Sequence, residues 1–350
     1  MPERQPGFIL IKVKKALVIF CLLVTGASAQ NLVTLGEEFM RLENWPVAVN
    51  YFDQALAQDP KLAKAWFGKG LSLCQIGKPN EGISALDRAL ELSPKNVQYL
   101  YVTGVCHEWR GKEGFSQAEA YYKKALQLAP GEVQVRHRLA SLYQQDNRCQ
   151  DAIPEFKKVI ATAPDYFASY NNLANCWLSL NRPEPAVKLY QEAIQLAEYP
   201  GEYHFYHHLG IALVAAHRVE ESKAAFLIET ALNPDFPDAH LNLGNIYLLE
   251  KNFERALEEY RDVLSIDPDS PEGNINLGEL YLLIKQPEVA LQFFEHYAEL
   301  KPDSGKGHYF LSLCYEKLGE KDKAWEEMDK SLKLGYHPEP LKSQMRQGQQ

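Results

Sequence analysis

The sequence predicts an all-α fold class, in which short helices form a linear array of helix-turn-helix units. Two observations carry this prediction. A set of apolar positions recurs with a period of about 34 residues, and within each period these positions lie three and four residues apart, as on one face of a helix. In such an array each unit packs only on its neighbours, so the 350-residue chain needs no single large core.

The first 29 residues are typical of a secretory signal. Three lysines lie between residues 12 and 15, an apolar stretch covers 16–24, and the small residues Ala27–Ala29 match a cleavage site. The alternative is an uncleaved anchor, but a membrane span needs about 20 apolar residues. We therefore expect an exported protein, periplasmic or secreted, that begins near Gln30 and has no membrane span.

The clearest repeat signal is a small residue, an aromatic residue and a second small residue, spaced four and three apart and followed by proline. Its first occurrence is Ala48, Phe52, Ala55 and Pro60. It returns at Ala152, Phe156, Val159 and Pro164, at Ala256, Tyr260, Val263 and Pro268, and with a larger third residue at Ala290, Phe294, Tyr297 and Pro302. This spacing forms one stripe of a second helix, and proline closes the unit because it cannot continue a helix.

A first helix precedes each second helix and has the pattern Leu-(Gly/Ala)-x-x-aromatic. It occurs at Leu35-Gly36 with Phe39, Leu139-Ala140 with Tyr143, Leu173-Ala174 with Trp177, Leu243-Gly244 with Tyr247, and Leu277-Gly278 with Tyr281. The small second residue lets the next helix approach closely.

Together these patterns resemble the tetratricopeptide-repeat (TPR) family over nearly the whole chain. Nine units follow, at 29–62, 63–96, 97–132, 133–166, 167–202, 203–236, 237–270, 271–304 and 305–338. The resemblance implies a right-handed superhelical solenoid of about nine helix-turn-helix units over 30–338, followed by a polar tail over 339–350. Two units are two residues longer than the rest, around Gly111–Gly114 and Tyr199–Gly201, where turns tolerate insertions.

Three places depart from the pattern. Glu229 and Tyr297 occupy a second-helix site that is small elsewhere, which predicts looser packing in the sixth and eighth units. In the last unit, Ser312 replaces glycine, Met328 replaces the aromatic residue and the second helix is highly charged. That composition suits a terminal cap with one face in water.

The resemblance further implies that four positions of each first helix line a concave groove. The early groove is apolar, with Val33, Phe67, Leu71, Tyr101 and Val105, and the late groove mixes Leu241, Ile275 and Tyr309 with the acids Asp238, Glu272 and Glu279. We expect a peptide-binding site centred on Tyr101, His137, Asn171, Asn172, Asn175, His207, Asn242, Asn245 and Asn276.

Asn172, Asn242 and Asn276 share the sixth position of their units. An amide there offers both a donor and an acceptor to one peptide unit of an extended partner. The alternative is that these asparagines only solvate a helix face. Arg138 is the one basic residue at the matching central positions, so we expect no clamp for a terminal carboxylate.

His204, His207 and His208 have the spacing of helical metal ligands. No other residue completes a ligand set convincingly, so we expect these histidines, with His137, to bind partner groups without a metal or other cofactor. A small-ligand or metal-binding protein using this His/Asn patch is the alternative. Imidazoles lining the groove would make binding change between about pH 5 and 7.

Five cysteines remain after signal cleavage. Cys74, Cys106, Cys176 and Cys314 fall on first helices, where a buried apolar role is expected. Cys149 falls in a turn and is expected to be more exposed. Cys149 and Cys176 lie in adjoining units and are the pair we single out for a disulfide in an oxidising compartment.

The sequence contains no phosphate loop, nucleophile elbow or zinc-protease signature, so we expect no enzyme. The net charge is −9, and the part after residue 29 is more acidic still because the leader carries +3. That charge disfavours nucleic acid. We predict a non-catalytic scaffold that binds an extended segment of a partner protein, with a role in assembling an envelope or secretion complex. The identity of the partner and self-association stay open.

Overall fold

The computed structural model describes residues 28–196 and 204–337. The signal core, the tail after residue 337 and the insertion around Tyr199–Gly201 lie outside these ranges. The chain divides into two compact units, Met1–Leu180 and Asn181–Gln350, here called the N-terminal unit and the C-terminal unit. Each is described by itself.

The described residues contain eighteen α-helices and one short 3₁₀ helix, with no strand among them, as the all-α prediction requires. The N-terminal unit contains α1 (Ala29–Arg41), α2 (Trp45–Gln58), α3 (Ala63–Gln75), α4 (Pro79–Leu92), α5 (Val97–Glu108), α6 (Phe115–Leu128), α7 (Val133–Gln145), α8 (Cys149–Thr162) and α9 (Phe167–Ser179). The C-terminal unit contains α10 (Pro183–Leu196), α11 (His204–Ala215), α12 (Val219–Leu232), α13 (Pro237–Leu249), α14 (Phe253–Ile266), α15 (Pro271–Leu283), α16 (Pro287–Leu300), α17 (Gly305–Leu318) and α18 (Lys321–Lys333). Odd-numbered helices are the first helices of the repeats, and even-numbered helices are the second.

Close helix pairing depends on the small residue of the first helix. A Cβ atom added at Gly244 would lie 2.4 Å from the ring of Tyr260, and one added at Gly278 would lie 2.7 Å from the ring of Phe294. Both rings are fully buried. In these repeats the aromatic residue of the second helix therefore occupies the space that the missing side chain leaves, which confirms the reason given for the small residue.

One left-handed residue turns the chain from each first helix into its second helix. It recurs at the same place in nine turns: Glu43, Gly77, Gly111, Asn147, Asn181, His217, Lys251, Lys285 and Gly319. Left-handed backbone is strained for residues other than glycine, so six of these nine turns carry some strain. In the third turn the extra residues form the 3₁₀ helix Gly111–Gly114.

The two large second-helix residues have compensating contacts. Tyr297 packs against Gly307, where an added Cβ would lie 2.8 Å from its ring. Its hydroxyl is hydrogen-bonded to Ser304 Oγ at 3.1 Å. Glu229 is fully buried and lies beside His207. Where the sequence suggested loose packing, the structure has a specific partner for each side chain.

The disulfide joins a different pair from the one that the sequence suggested. Cys74 of α3 and Cys106 of α5 are bonded, with Cα atoms 6.0 Å apart. Cys149 and Cys176 are free thiols, so the expectation for that pair is wrong. Cys149 is also not exposed, because it is the first residue of α8 and is only 8% accessible. Its thiol lies 3.2 Å from Ser179 Oγ.

Candidate functional site

In the N-terminal unit, a polar network crosses from α7 to α9. His137 Nδ1 is 2.8 Å from Ser169 Oγ, and His137 Nε2 is 3.4 Å from Ser141 Oγ. Asn172 Nδ2 donates to the same Ser141 hydroxyl at 3.4 Å. We use the term first-helix face for the surface that successive first helices of one unit form together. His137 of α7 and Asn172 of α9 lie on this face in the N-terminal unit.

Burial and the charge of Arg138 lower the pKa of His137 to about 4. In the C-terminal unit, burial and the neighbouring His207 and His204 lower the pKa of His208 to about 4. Both imidazoles are therefore neutral between pH 5 and 7. The expected change of binding in that range does not come from these two residues.

A second polar cluster on the same face surrounds the nearly buried carboxylate of Glu108. Tyr122 donates its hydroxyl to Glu108 at 2.7 Å, and Arg138 Nε donates at 2.9 Å. The ring of Tyr101 lies 6.0 Å from that of Tyr122, and burial raises the pKa of Tyr101. The sequence showed Arg138 at its groove position, but its pairing with a carboxylate on the preceding first helix was missed. Arg138 thus already has a carboxylate partner within the chain.

Two further predicted residues stand at the end of the N-terminal unit. Asn175 is exposed on α9. Asn171 is half-buried, and its Oδ1 atom has no hydrogen-bond partner among the described residues. Neither belongs to the network around His137.

In the C-terminal unit, two asparagines are linked between consecutive first helices. Asn276 Nδ2 of α15 donates to Asn245 Oδ1 of α13 at 3.2 Å, and Tyr260 donates its hydroxyl to the same oxygen at 2.7 Å. The Asn245 oxygen therefore accepts two bonds, which fixes the orientation of its amide. We call Asn245 and Asn276 the amide pair.

Asn242 is engaged within its own helix. Its Nδ2 atom donates to the backbone carbonyl of Asp238, one turn earlier, at 2.8 Å. Such back-bonding is the usual way in which a short polar side chain is satisfied inside a helix. The three asparagines that share one sequence position thus have three different environments: a serine, the helix backbone and another asparagine.

Each of the three histidines of α11 has a partner outside the group, although the ring of His208 also lies 5.6 Å from that of His207. His207 Nδ1 lies 3.1 Å from Glu229 Oε2, and the ring of His208 stacks on Tyr190 at 5.6 Å. The ring of His204 is 4.6 Å from that of Phe205. His207 is nearly buried, so its contact with Glu229 is part of the core of this repeat.

Within the described ranges, one group of side chains has the ligand spacing that a metal ion requires, and it is not the one suggested by sequence. It consists of His240, Glu259 and Asp262. Both nitrogens of His240 already have partners: Nδ1 lies 2.8 Å from Glu259, and Nε2 lies 3.0 Å from the carbonyl of Pro234.

A repeat of the N-terminal unit has the same arrangement without histidine. Arg136 donates to Glu155 and to the carbonyl of Pro130, both at 2.6 Å. Arginine cannot bind a metal as imidazole does. The shared arrangement therefore attaches a first helix to the end of the preceding repeat, and His240 has this structural role.

The described helices include none that is both long enough and apolar enough to cross a membrane. Comparison with known proteins places the chain in a family. Models described as tetratricopeptide repeat match residues 33–78, 70–133, 137–203, 208–271 and 247–304. These matches cover most of the sequence, and the chain belongs to the tetratricopeptide-repeat family. Members of that family are generally non-catalytic scaffolds for protein–protein interaction.

Three curated relatives indicate the range of proteins in which similar repeats occur. The chain is 26% identical to anaphase-promoting complex subunit 7 of Homo sapiens, over 67% of this chain and 41% of that protein. It is 26% identical to protein O-mannosyl-transferase TMTC3 of Homo sapiens, over 49% and 21%. It is 25% identical to the peroxisomal targeting signal receptor of Eremothecium gossypii, over 41% and 31%. The chain therefore spans less than half the length of each.

Proposed function

We propose that this chain is a non-catalytic scaffold that holds an extended segment of a partner protein against its first-helix faces. The single observation that carries the proposal is the amide pair. Because Asn245 Oδ1 accepts from both Tyr260 and Asn276, the Asn245 amide nitrogen and the Asn276 carbonyl oxygen keep bonding capacity for a partner. Asn245 is exposed and Asn276 is half-buried.

A donor and an acceptor on neighbouring helices suit the backbone of an extended chain, which presents one carbonyl and one N–H per residue. Each such bond contributes about 1 kcal/mol net. Two amide bonds alone are therefore too weak for stable capture, and side-chain contacts must add to them. The matched peroxisomal relative is named as the receptor of a targeting signal, which agrees with capture of a short segment.

Asn245→Ala/Asn276→Ala tests this function in a pull-down from extract of the source cells. Asn80→Ala, an exposed asparagine of α4 on a second helix, is the matched control. We expect the double variant to lose a partner that the native chain and the control retain, while circular dichroism shows all three folded. Equal retention by all three would refute binding through the amide pair.

We further propose that the chain is exported and works in an oxidising compartment, in the assembly of an envelope or secretion complex. The signal-like leader and the Cys74–Cys106 disulfide support export, since disulfides persist mainly outside the reducing cytosol. Mass spectrometry of the secreted or periplasmic protein tests the proposal, with an N-terminus near Gln30 expected and an intact leader contradicting it.

A further inference from the structure

An apolar pocket opens on the first-helix face of the C-terminal unit. Its volume is about 390 Å³. Three consecutive first helices line it, through Leu248 of α13, Leu280 and Leu283 of α15, and Phe310 and Leu313 of α17. A pocket of this size and lining accommodates one large aliphatic or aromatic side chain.

One wall of the pocket is an accessible leucine. Leu283 is 55% exposed, and Leu249, at the same place in the preceding repeat, is 76% exposed. Apolar side chains left in water beside a pocket are typical of a surface that a partner covers.

The amide pair lies on the same helix faces as the pocket. On α15, Asn276, Leu280 and Leu283 are four and three residues apart and thus share one stripe. With a rise of about 1.5 Å per residue, Asn276 is about 10 Å from Leu283 along the helix. That distance corresponds to about three residues of extended chain. One segment can therefore reach both features.

Two acidic residues indicate the chemistry of the other end of the bound segment. Asp238 and Glu272 lie in the first turns of α13 and α15, on the far side of the amide pair from the pocket. Both are exposed, and neither has an ion-pair partner in the described part of the chain. Glu279, nearer the pocket, is already paired with Lys306 at 2.9 Å.

First-turn acids also favour their own helices, so these two carboxylates alone would not indicate a ligand. Their position on the same face as a pocket and an amide pair gives them a second role. Lys317 at the pocket rim disfavours a basic group beside the apolar one. Glu272, at the other end of α15, lies about 16 Å from Leu283 along the helix. That distance corresponds to about five residues of extended chain.

We propose that the C-terminal unit selects segments that carry a large apolar side chain and, about five residues away, a lysine or arginine. The apolar side chain fills the pocket, the basic group faces Asp238 and Glu272, and the backbone between them bonds to the amide pair. This inference rests on the proposed function and defines the chemistry of its partner.

The probe is a random dodecapeptide library displayed on phage and selected on the mature chain. We expect enrichment of Leu, Ile, Met or Phe at one position, with Lys or Arg about five residues away. A selected peptide, labelled with fluorescein, is then measured by anisotropy against Leu283→Glu and against Leu227→Glu. Leu227 is a comparably exposed leucine, 43% accessible, on the second helix α12.

Binding should weaken tenfold or more in Leu283→Glu, because burial of a leucine-sized side chain contributes at least that factor, and should be unchanged in Leu227→Glu. Changing the basic residue of the peptide to Glu should also weaken binding, and added salt should reduce the difference. Both leucines are on the surface, so both variants should fold.

The outcomes separate this inference from the function on which it rests. Selected peptides that lose binding with Asn245→Ala/Asn276→Ala but not with Leu283→Glu would refute the pocket and keep the scaffold function. Peptides enriched without the apolar and basic pair would refute the specificity. A library that yields no peptide at all would overturn both.

Discussion

The buried pair of His207 and Glu229 predicts an unusual pattern of stability. Glu229 is fully buried where most other repeats have alanine or valine, and His207 Nδ1, 3.1 Å away, is its one hydrogen-bond partner within the described ranges. Its second oxygen has none. Removing one member of a buried pair typically costs about 3–5 kcal/mol, whereas replacing both with apolar residues is often neutral or stabilising by about 1–4 kcal/mol.

The corresponding residues elsewhere suggest the substitutions. Leu241 holds the position of His207 in the next repeat, and Val263 holds that of Glu229. We expect His207→Leu alone to lower the free energy of unfolding by about 3 kcal/mol or more, because it leaves a buried carboxylate without a partner. Glu229→Val alone should cost less, about 1 kcal/mol, because it removes the buried carboxylate itself and the imidazole loses only one hydrogen bond. The double variant should be at least as stable as the native chain.

Urea denaturation followed by circular dichroism measures the four proteins of this cycle. Because repeat arrays need not unfold in one step, hydrogen exchange of α11 and α12 should show that the change is local to this repeat. Additive losses, with the double variant the least stable of the four, would refute the conclusion that this buried polar pair lowers stability.

Three further predictions follow from features of the fold. Lys285→Gly should stabilise the chain by about 0.5–1 kcal/mol because it relieves left-handed strain; Gly77→Ala, at the same place in another repeat, should destabilise it, and equal effects in a thermal melt would contradict this. Reducing the disulfide between Cys74 and Cys106 should cost about 2–4 kcal/mol in urea denaturation, and an unchanged midpoint would show that the bond is absent in solution. His137 has a folded pKa of about 4, below its unfolded value of about 6.5; its neutral form therefore stabilises the fold above pH 6.5, and this contribution should be lost as pH falls from about 6.5 to 4. His137→Asn should flatten that dependence, and an unchanged pH profile would contradict it.

Much of the fold follows from residue spacing alone. Gly244 with Tyr260, and Gly278 with Phe294, lie at constant offsets, so local periodicity is enough to pair the helices. Residue spacing does not predict the left-handed conformation of the turn residues. Six of the nine are side-chain-bearing residues of four types, and the helix geometry on either side forces their conformation.

The candidate site was less predictable because its contacts join different repeats. The bond between Asn276 and Asn245 spans 31 residues, and that between Arg138 and Glu108 spans 30. Sequence register places these residues on a common face but does not say which neighbour each one meets. The disulfide shows the same limit. Cys74 and Cys106 are near in space because consecutive first helices are adjacent, although their positions within the repeat differ.

The Cys74–Cys106 bond also has a mechanical consequence. It closes a segment of 32 residues between α3 and α5, so a pulling force applied at the two chain ends bypasses this segment. Reduction would release about 110 Å of additional contour length, at about 3.5 Å per extended residue. In a force–extension record, the second and third repeats would therefore contribute a step that appears only after a reductant is added, while the other repeats extend under either condition.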